Sequence, residues 1–290
     1  MTNPYVETFF DPATFTATHL VSDPVTGTAA IIDPVADFDP KSGTLSHASA
    51  DAVLAAVAAK GLKPAYILET HAHADHLSAG DYLRRKTGAK LVIGNHITAV
   101  QKAFIPVFEI DDIAADGASF DVLMGEGDSL PLGDLSINVL HTPGHTPACV
   151  TYLIGDAAFV GDTLFMPDYG TARADFPGGD AATLHASIRK ILALPADTRI
   201  FVGHDYLPAG RSDYRWQTSV AAEREGNIHV RDGISAADFV AMREARDKTL
   251  AAPTLLLPSL QVNVRGGALP PASAHGGVFL KLPVRMASAA

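Results

Sequence analysis

Three histidines and one aspartate lie within six positions of one another, directly after the apolar run 65–68. These residues are His71, His73, Asp75 and His76. Imidazole and carboxylate groups at this density are the ligands that zinc, iron and other mid-row transition metals prefer. A helix start carrying surface histidines is the simpler interpretation, but chance rarely brings these residue types into one loop. The cluster therefore predicts a metal site.

The same pattern recurs three times: a strand-like apolar run ends in a residue able to bind metal. The later residues are His145, Asp162 and His204. Ligands from distant parts of a chain can converge when a sheet holds their strands rigidly side by side. We therefore expect one site assembled from four strand ends.

The elements that must hold these residues alternate between strands and helices. The predicted strands are a hairpin over 15–32 and runs at 65–68, 90–93, 135–140, 150–154, 157–160 and 199–202. The predicted helices are 50–60 with Ser49 as its cap, 77–86, 97–104, 184–192 and one that begins after Ser235. The Pro- and Gly-rich tail after Pro253 is expected to be irregular. This alternation predicts an α/β layered fold. We expect a single domain over 1–290, with a core at about 1–210 and a C-terminal helical and irregular extension over 211–290.

Composition narrows the class of protein. The chain has 290 residues, of which 47% are hydrophobic and 19% charged, as is usual for a globular protein with a substantial core. A net charge of −10 argues against a nucleic-acid partner, which needs clustered Lys and Arg. The single cysteine, Cys149, excludes an intrachain disulfide. Because neither a signal segment nor a bilayer-length apolar run is evident, we expect a soluble cytoplasmic protein without a membrane partner.

The ordered motifs resemble the signature of the metallo-β-lactamase superfamily. They are His71-Ala72-His73-Ala74-Asp75-His76, His141-Thr142-Pro143-Gly144-His145, Gly161-Asp162 and Gly203-His204. The resemblance covers essentially the whole chain and implies a four-layer αβ/βα sandwich with the metal site at one edge. Within the superfamily, the chain is similar to persulfide dioxygenases, to glyoxalase II and to bacterial β-lactamase-like proteins linked to sulfide detoxification. The segments that carry this closer similarity are 32–40, 166–176 and 227–230.

The persulfide dioxygenase resemblance implies one Fe(II) per chain, held by two histidines and one aspartate. The matching residues are His71, His145 and Asp162. Three ligands leave three positions open on an octahedral iron, enough for dioxygen and a thiol-containing substrate. The implied reaction oxidises glutathione persulfide with O2 to sulfite and glutathione, and iron carries the electron chemistry. The residues left to orient ligands or hold water are His73, Asp75, His76 and His204.

The glyoxalase II resemblance implies a different use of the same seven residues. There a pair of metals, Zn(II), shares them, and a bridging hydroxide attacks a thioester. One metal is held by His71, His73 and His145. The other is held by Asp75, His76 and His204, and Asp162 bridges the pair. The ligands alone do not separate oxygenase from hydrolase, but the three closer segments favour the oxygenase. A non-catalytic sulfide-responsive binding protein is disfavoured, because a binder has no use for an open metal site.

Several further residues are candidates beside the metal. Asp75, Arg173 and Tyr206 are the candidate catalytic groups. Arg173 either shapes the pocket with Asp175 or forms a structural salt bridge with it. Tyr206 either donates its hydroxyl to the substrate or packs in the core. Arg265 either binds a glutathione carboxylate or lies on the surface. Cys149 is expected to be a small buried side chain, and His141 is expected to be structural or to orient a metal ligand. The remaining histidines are expected to be surface or packing residues: His19, His47, His96, His185, His229 and His275. The resemblance also suggests a homodimer.

Overall fold

The computed structural model describes residues 3–284 and Met286. Its strands are β1 (Tyr5–Asp11), β2 (Thr16–Ser22), β3 (Thr28–Ile32), β4 (Val35–Asp39), β5 (Thr44–Ser46), β6 (Lys63–Leu68), β7 (Leu77–Ser78), β8 (Lys90–Gly94), β9 (Val122–Met124), β10 (Ser129–Leu132), β11 (Leu135–His141), β12 (Val150–Ile154), β13 (Ala157–Phe159), β14 (Arg199–Phe201) and β15 (Gln217–Ser219). Its helices are α1 (Ala48–Ala59), α2 (Gly80–Thr87), α3 (Ile97–Phe104), α4 (Ala181–Ile191), α5 (Val220–Gly226), α6 (Ala236–Asp247) and α7 (Leu256–Asn263). Within these described residues, no helix is both long enough and apolar enough to cross a membrane.

Two six-stranded sheets form the centre of the fold. Their strand orders are β1-β2-β3-β6-β8-β9 and β10-β11-β12-β13-β14-β15. In the first sheet β3, β6, β8 and β9 run parallel, so helices must connect them across its outer face. A small third sheet, β5-β4-β7, lies beside the loop that carries the first histidines.

Side-chain alternation along the strands divides the core into layers. Val21 and Ile32 of the first sheet meet Val139 and Tyr152 of the second in one buried cluster between the sheets. The residues next to them, such as Ile31, point the other way and pack on α1, α2, α3 and α7. The outer face of the second sheet packs on α4 and α6. The order is helix, sheet, sheet, helix, and the expected α/β four-layer fold is confirmed.

Several predicted element boundaries were wrong, each because of a tertiary contact. Ser49 does not cap α1, which begins at Ala48; its hydroxyl instead donates to Asp37 Oδ1 at 2.6 Å. The predicted helix 77–86 begins only at Gly80, because β7 pairs with β4 before it. The tail after Pro253 is not wholly irregular, since α7 forms there. Its Pro258 lies in the first helical turn, where a missing N–H costs no helix hydrogen bond.

Candidate metal centre

The loop 69–76, between β6 and β7, is fixed by contacts from two other parts of the chain. Asp33, just after β3, accepts the Thr70 N–H and hydroxyl at 2.7 Å each and the His73 Nε2–H at 3.0 Å. From the C-terminal side, the amide of Asn263 on α7 donates to the carbonyls of His73 and His76, at 2.8 Å each. Buried polar atoms with this many partners hold one conformation. The loop is therefore rigid before any ligand binds.

The four strand ends converge as expected. His145 follows β11, Asp162 follows β13 and His204 follows β14. Donor atoms that lie within 4.8 Å of one another form three groups, two of which consist entirely of residues predicted from the sequence. The first group, which we call the triad, is His71, His145 and Asp162; the second group is His73, Asp75, His76 and His204.

Asp162 lies between the two histidines of the triad and His204 of the second group. Its Oδ2 is 3.9 Å from His71 Nε2 and 3.7 Å from His145 Nε2. Its Oδ1 is 3.3 Å from His204 Nε2, which also lies 3.2 Å from Asp75 Oδ2. The two carboxylate oxygens therefore face different sets of donors.

Hydrogen bonds to the outer ring nitrogens determine which tautomer three of the histidines adopt. His145 Nδ1 donates to the Arg173 carbonyl at 2.8 Å, and His204 Nδ1 donates to the Phe15 carbonyl at 3.2 Å. His71 Nδ1 donates to the Thr70 hydroxyl oxygen at 3.0 Å, because the Thr70 proton goes to Asp33. In each ring the lone pair is then on Nε2, which points into the site. Metal-binding histidines have this arrangement.

Unsatisfied buried atoms show that the site fits a cation. His71 Nε2, His76 Nε2, His204 Nε2 and Asp162 Oδ1 are buried with no hydrogen-bond partner among residues 3–284 and Met286. Buried polar groups are almost always paired, so a cluster of unpaired lone pairs calls for a positive ion. Burial, and then His73 and His145, also hold the pKa of His71 well below its usual value. A neutral imidazole is the form that binds metal.

His73 has a different environment from the other three rings. Its Nε2 lies 3.0 Å from Asp33 Oδ1 and 3.4 Å from Glu69 Oε2, both buried carboxylates. Burial alone lowers the pKa of His73, but these two carboxylates outweigh it and raise the pKa well above its usual value. His73, Asp33 and Glu69 also form a third group able to hold a cation. Asp33 and Glu69 were not predicted as site residues, although each directly follows an apolar strand.

A cavity of about 620 Å³ opens beside the triad. Its aromatic lining is Phe15, Phe38, Phe165, Tyr169, Phe176 and Tyr206. The Tyr206 ring stacks 5.5 Å from the His204 ring, and Phe176 meets His145 edge-on at 5.4 Å. Burial, with Asp75 and Asp162, raises the pKa of Tyr206 well above its usual value. At neutral pH its hydroxyl is therefore a hydrogen-bond donor.

The three candidate catalytic residues, Asp75, Arg173 and Tyr206, all line this cavity. Arg173 lines the cavity, and its Nε donates to Asp175 at 2.5 Å and its Nη1 to the Ala251 carbonyl at 2.7 Å. Cys149 is buried, as expected, and burial raises its pKa to about 12.

The surface interpretation of Arg265 was wrong. It is buried, its Nη2 lies 2.5 Å from Asp112, and it is not among the residues that line the cavity. The partner comes from 153 positions earlier in the chain, a contact that one sequence does not reveal. Two arginines of α6, Arg243 and Arg246, line the cavity and were not predicted from the sequence. Arg243 pairs with Asp247, whereas Arg246 makes no ion pair within the described part of the chain.

Comparison with known proteins gives one family. Residues 13–204 match the Metallo-beta-lactamase superfamily. The chain is 52% identical to a probable metallo-hydrolase of Burkholderia pseudomallei strain 1710b, over 96% of this chain and 98% of the relative. It is 43% identical to glyoxylase B2 of Dictyostelium discoideum, over 96% of each. It spans only 65% of a β-lactamase hydrolase-like protein of Agrobacterium fabrum, to which it is 53% identical over 97% of its own length.

More distant matches include oxygenases. The mitochondrial persulfide dioxygenase ETHE1 of Mus musculus is 31% identical, over 91% of this chain and 89% of the relative. The crystal structure of ETHE1 from Myxococcus xanthus superimposes with a TM-score of 0.71 and 31% identity, over 91% of this chain and all of that one. With the fold and the His/Asp cluster, these matches show that the chain belongs to the metallo-β-lactamase superfamily of metal-dependent enzymes.

Proposed function

We propose that this chain is an iron-dependent persulfide dioxygenase with one Fe(II) held by His71, His145 and Asp162. The reaction is glutathione persulfide plus O2 plus water to glutathione and sulfite. The outer sulfur is oxidised from the sulfane level to sulfite and gives four electrons to O2. The S–S bond breaks, and the glutathione sulfur leaves as the thiol.

The observation that carries this proposal is that the donor atoms of His71, His145 and Asp162 lie within 4.8 Å of one another in a group that does not include His73. In the dinuclear arrangement of glyoxalase II, His73 must share a metal with His71 and His145. Here its Nε2 contacts two carboxylates, and His73 is grouped with Asp75, His76 and His204. The triad is then a two-histidine, one-carboxylate set, which is typical of non-haem Fe(II) oxygenases. The similarity to the persulfide dioxygenase ETHE1 of Mus musculus supports the same assignment.

The chain's own residues would bind and orient the substrate. Bound Fe(II) would supply the redox chemistry that O2 requires. The protonated hydroxyl of Tyr206, which lines the cavity, would be a donor for the anionic persulfide sulfur. Arg246, which has no carboxylate partner in the described residues, is a cation for a glutathione carboxylate at the α6 side. The aromatic walls limit the water that reaches the reacting sulfur.

A dinuclear thioester hydrolase is the second candidate, and one observation favours it. Asp162 Oδ1 faces His204 Nε2 at 3.3 Å, so this carboxylate could bridge the triad and the second group. The similarity to glyoxylase B2 of Dictyostelium discoideum is consistent with it. A bridged pair of ions would generate hydroxide between them.

Metal content and oxygen consumption distinguish the two candidates. We expect protein loaded anaerobically to hold one iron per chain and to consume one O2 for each sulfite formed from glutathione persulfide. We expect His145→Ala to lose the iron and His204→Ala to retain it. Two metals per chain, thioester hydrolysis and no O2 uptake would refute the dioxygenase. Loss of one of two metals in His204→Ala would refute it as well.

A further inference from the structure

A buried ion pair on α6 contacts the segment 171–174, which also contacts His145. Arg243 and Asp247 lie one helical turn apart and are 1% and 5% exposed. Arg243 Nε donates to Asp247 Oδ1 at 2.8 Å. Removing two charges from water is costly, and an apolar pair would often be as stable. The helix α6 lies outside residues 13–204, which match the superfamily. We therefore expect a function of this pair in what it contacts.

One peptide group connects this pair to His145. The second oxygen of Asp247, Oδ2, accepts the Ala174 N–H at 2.8 Å. The same peptide group carries the carbonyl of Arg173, which accepts the Nδ1–H of His145 at 2.8 Å. Arg243 Nη1 donates to the Thr171 carbonyl at 3.1 Å and so fixes the start of the segment. The path from carboxylate to imidazole therefore consists of two hydrogen bonds and one amide.

We propose that Asp247 is a positioning residue that acts on His145 through the peptide group between Arg173 and Ala174. A histidine that donates its outer N–H to a carboxylate or carbonyl has a fixed tautomer and a more basic metal-facing nitrogen. A carboxylate at the N–H end of an amide polarises that amide, and its carbonyl becomes a stronger acceptor. Asp247 thus strengthens the hydrogen bond that His145 donates and makes its Nε2 more basic, without contacting the ring.

The position of Arg243 explains why the pair is built in this way. Its guanidinium neutralises Asp247 through Oδ1 and leaves Oδ2 directed at the Ala174 N–H. Its second contact, to Thr171, holds the far end of the same segment. The helix therefore fixes the segment on both sides of the carbonyl that His145 uses. In this way an element outside the superfamily core orients a candidate metal ligand.

This inference rests on the proposed metal site, so its test measures metal binding rather than turnover. Co(II) affinity of the metal-free full chain is measured by competition with a chelator, together with the visible absorption band of the bound cobalt. We expect Asp247→Asn to weaken Co(II) binding about tenfold and to shift the band. Because Asp247→Asn leaves the buried Arg243 uncompensated, the double variant Arg243→Gln/Asp247→Asn removes both charges and should show the same loss.

The matched control is Asp156→Asn. Asp156 pairs with Arg199 at 2.6 Å at the opposite end of β13 from Asp162. The Asp156→Asn variant should be less stable than wild type but should bind Co(II) with an affinity within twofold of wild type. The inference would be overturned if the Asp247→Asn variant or the double variant folds and has the Co(II) affinity and spectrum of wild type. The proposed function would remain intact. Independently of any variant, nitrogen NMR of the zinc-loaded wild type should show the His145 proton on Nδ1, and its absence there overturns the inference. A wild type that binds no Co(II) overturns the metal site itself.

Discussion

Replacement of Glu223 by glutamine tests whether the buried Glu223 carboxyl keeps its proton in the folded protein at neutral pH. Glu223 lies on α5 with none of its surface exposed. Its Oε2 accepts the Asn227 amide at 2.7 Å, and its Oε1 has no hydrogen-bond partner in the part of the chain that is described. The same Asn227 amide donates to the Gly170 carbonyl at 3.1 Å, just before the segment that lines the cavity. Burial raises the pKa of Glu223 to about 8, against the opposing hydrogen bond from Asn227.

The size of the effect follows from the pKa difference. In the unfolded chain the carboxyl has its ordinary pKa of 4.5. Between pH 4.5 and 8 the folded protein therefore binds one more proton than the unfolded chain, and the free energy of unfolding falls as pH rises. At about 1.4 kcal/mol per pH unit, the loss is about 3 kcal/mol by pH 7 and about 5 kcal/mol above pH 8. Glutamine keeps the shape and has no proton to lose.

We therefore expect Glu223→Gln to match wild type near pH 4.5 and to become progressively more stable than wild type up to pH 8. Urea unfolding followed by circular dichroism at pH 5, 6, 7, 8 and 9 measures the difference. The matched control is Glu225→Gln, an exposed position on the same helix, which should show no such trend. A difference between Glu223→Gln and wild type that stays constant across this range would refute the assigned burial and charge state.

Three further predictions concern the cavity and the loop beside it. At Gly161 φ is +50°, and an added Cβ would overlap the Thr70 hydroxyl that orients His71. Gly161→Ala should therefore lower the free energy of unfolding by about 2–4 kcal/mol and weaken metal binding. The control Gly43→Ala, at φ +69° with open space around it, should lower the free energy of unfolding by only about 1 kcal/mol. Tyr206→Phe should lower kcat about tenfold with KM within twofold, whereas a packing role predicts no kcat change. Arg246→Ala should raise KM about three- to tenfold for glutathione persulfide but not for its carboxyl ester; equal shifts for both would contradict the carboxylate contact.

The candidate site was predictable where its pattern is local. His71, His73, Asp75 and His76 share one loop, and each later member follows an apolar run. Because strand period and turn chemistry act over a few residues, the strand ends and their convergence could be inferred from the order of the residues alone. The predicted cap Ser235 was confirmed for the same reason: its hydroxyl accepts the Asp238 N–H three residues later.

The sequence by itself determined which metal-binding residues are available and that strand ends present them. Only the tertiary structure decided how each is used. Asp33 looked like part of a turn, yet it organises the His71 loop from 37 positions away. Arg265 was predicted to contact substrate or to lie on the surface, but it is buried against Asp112. Asp247 reaches His145 through a peptide group on another segment. The role of a buried charge depends on its partners, and here packing brings those partners from distant parts of the chain.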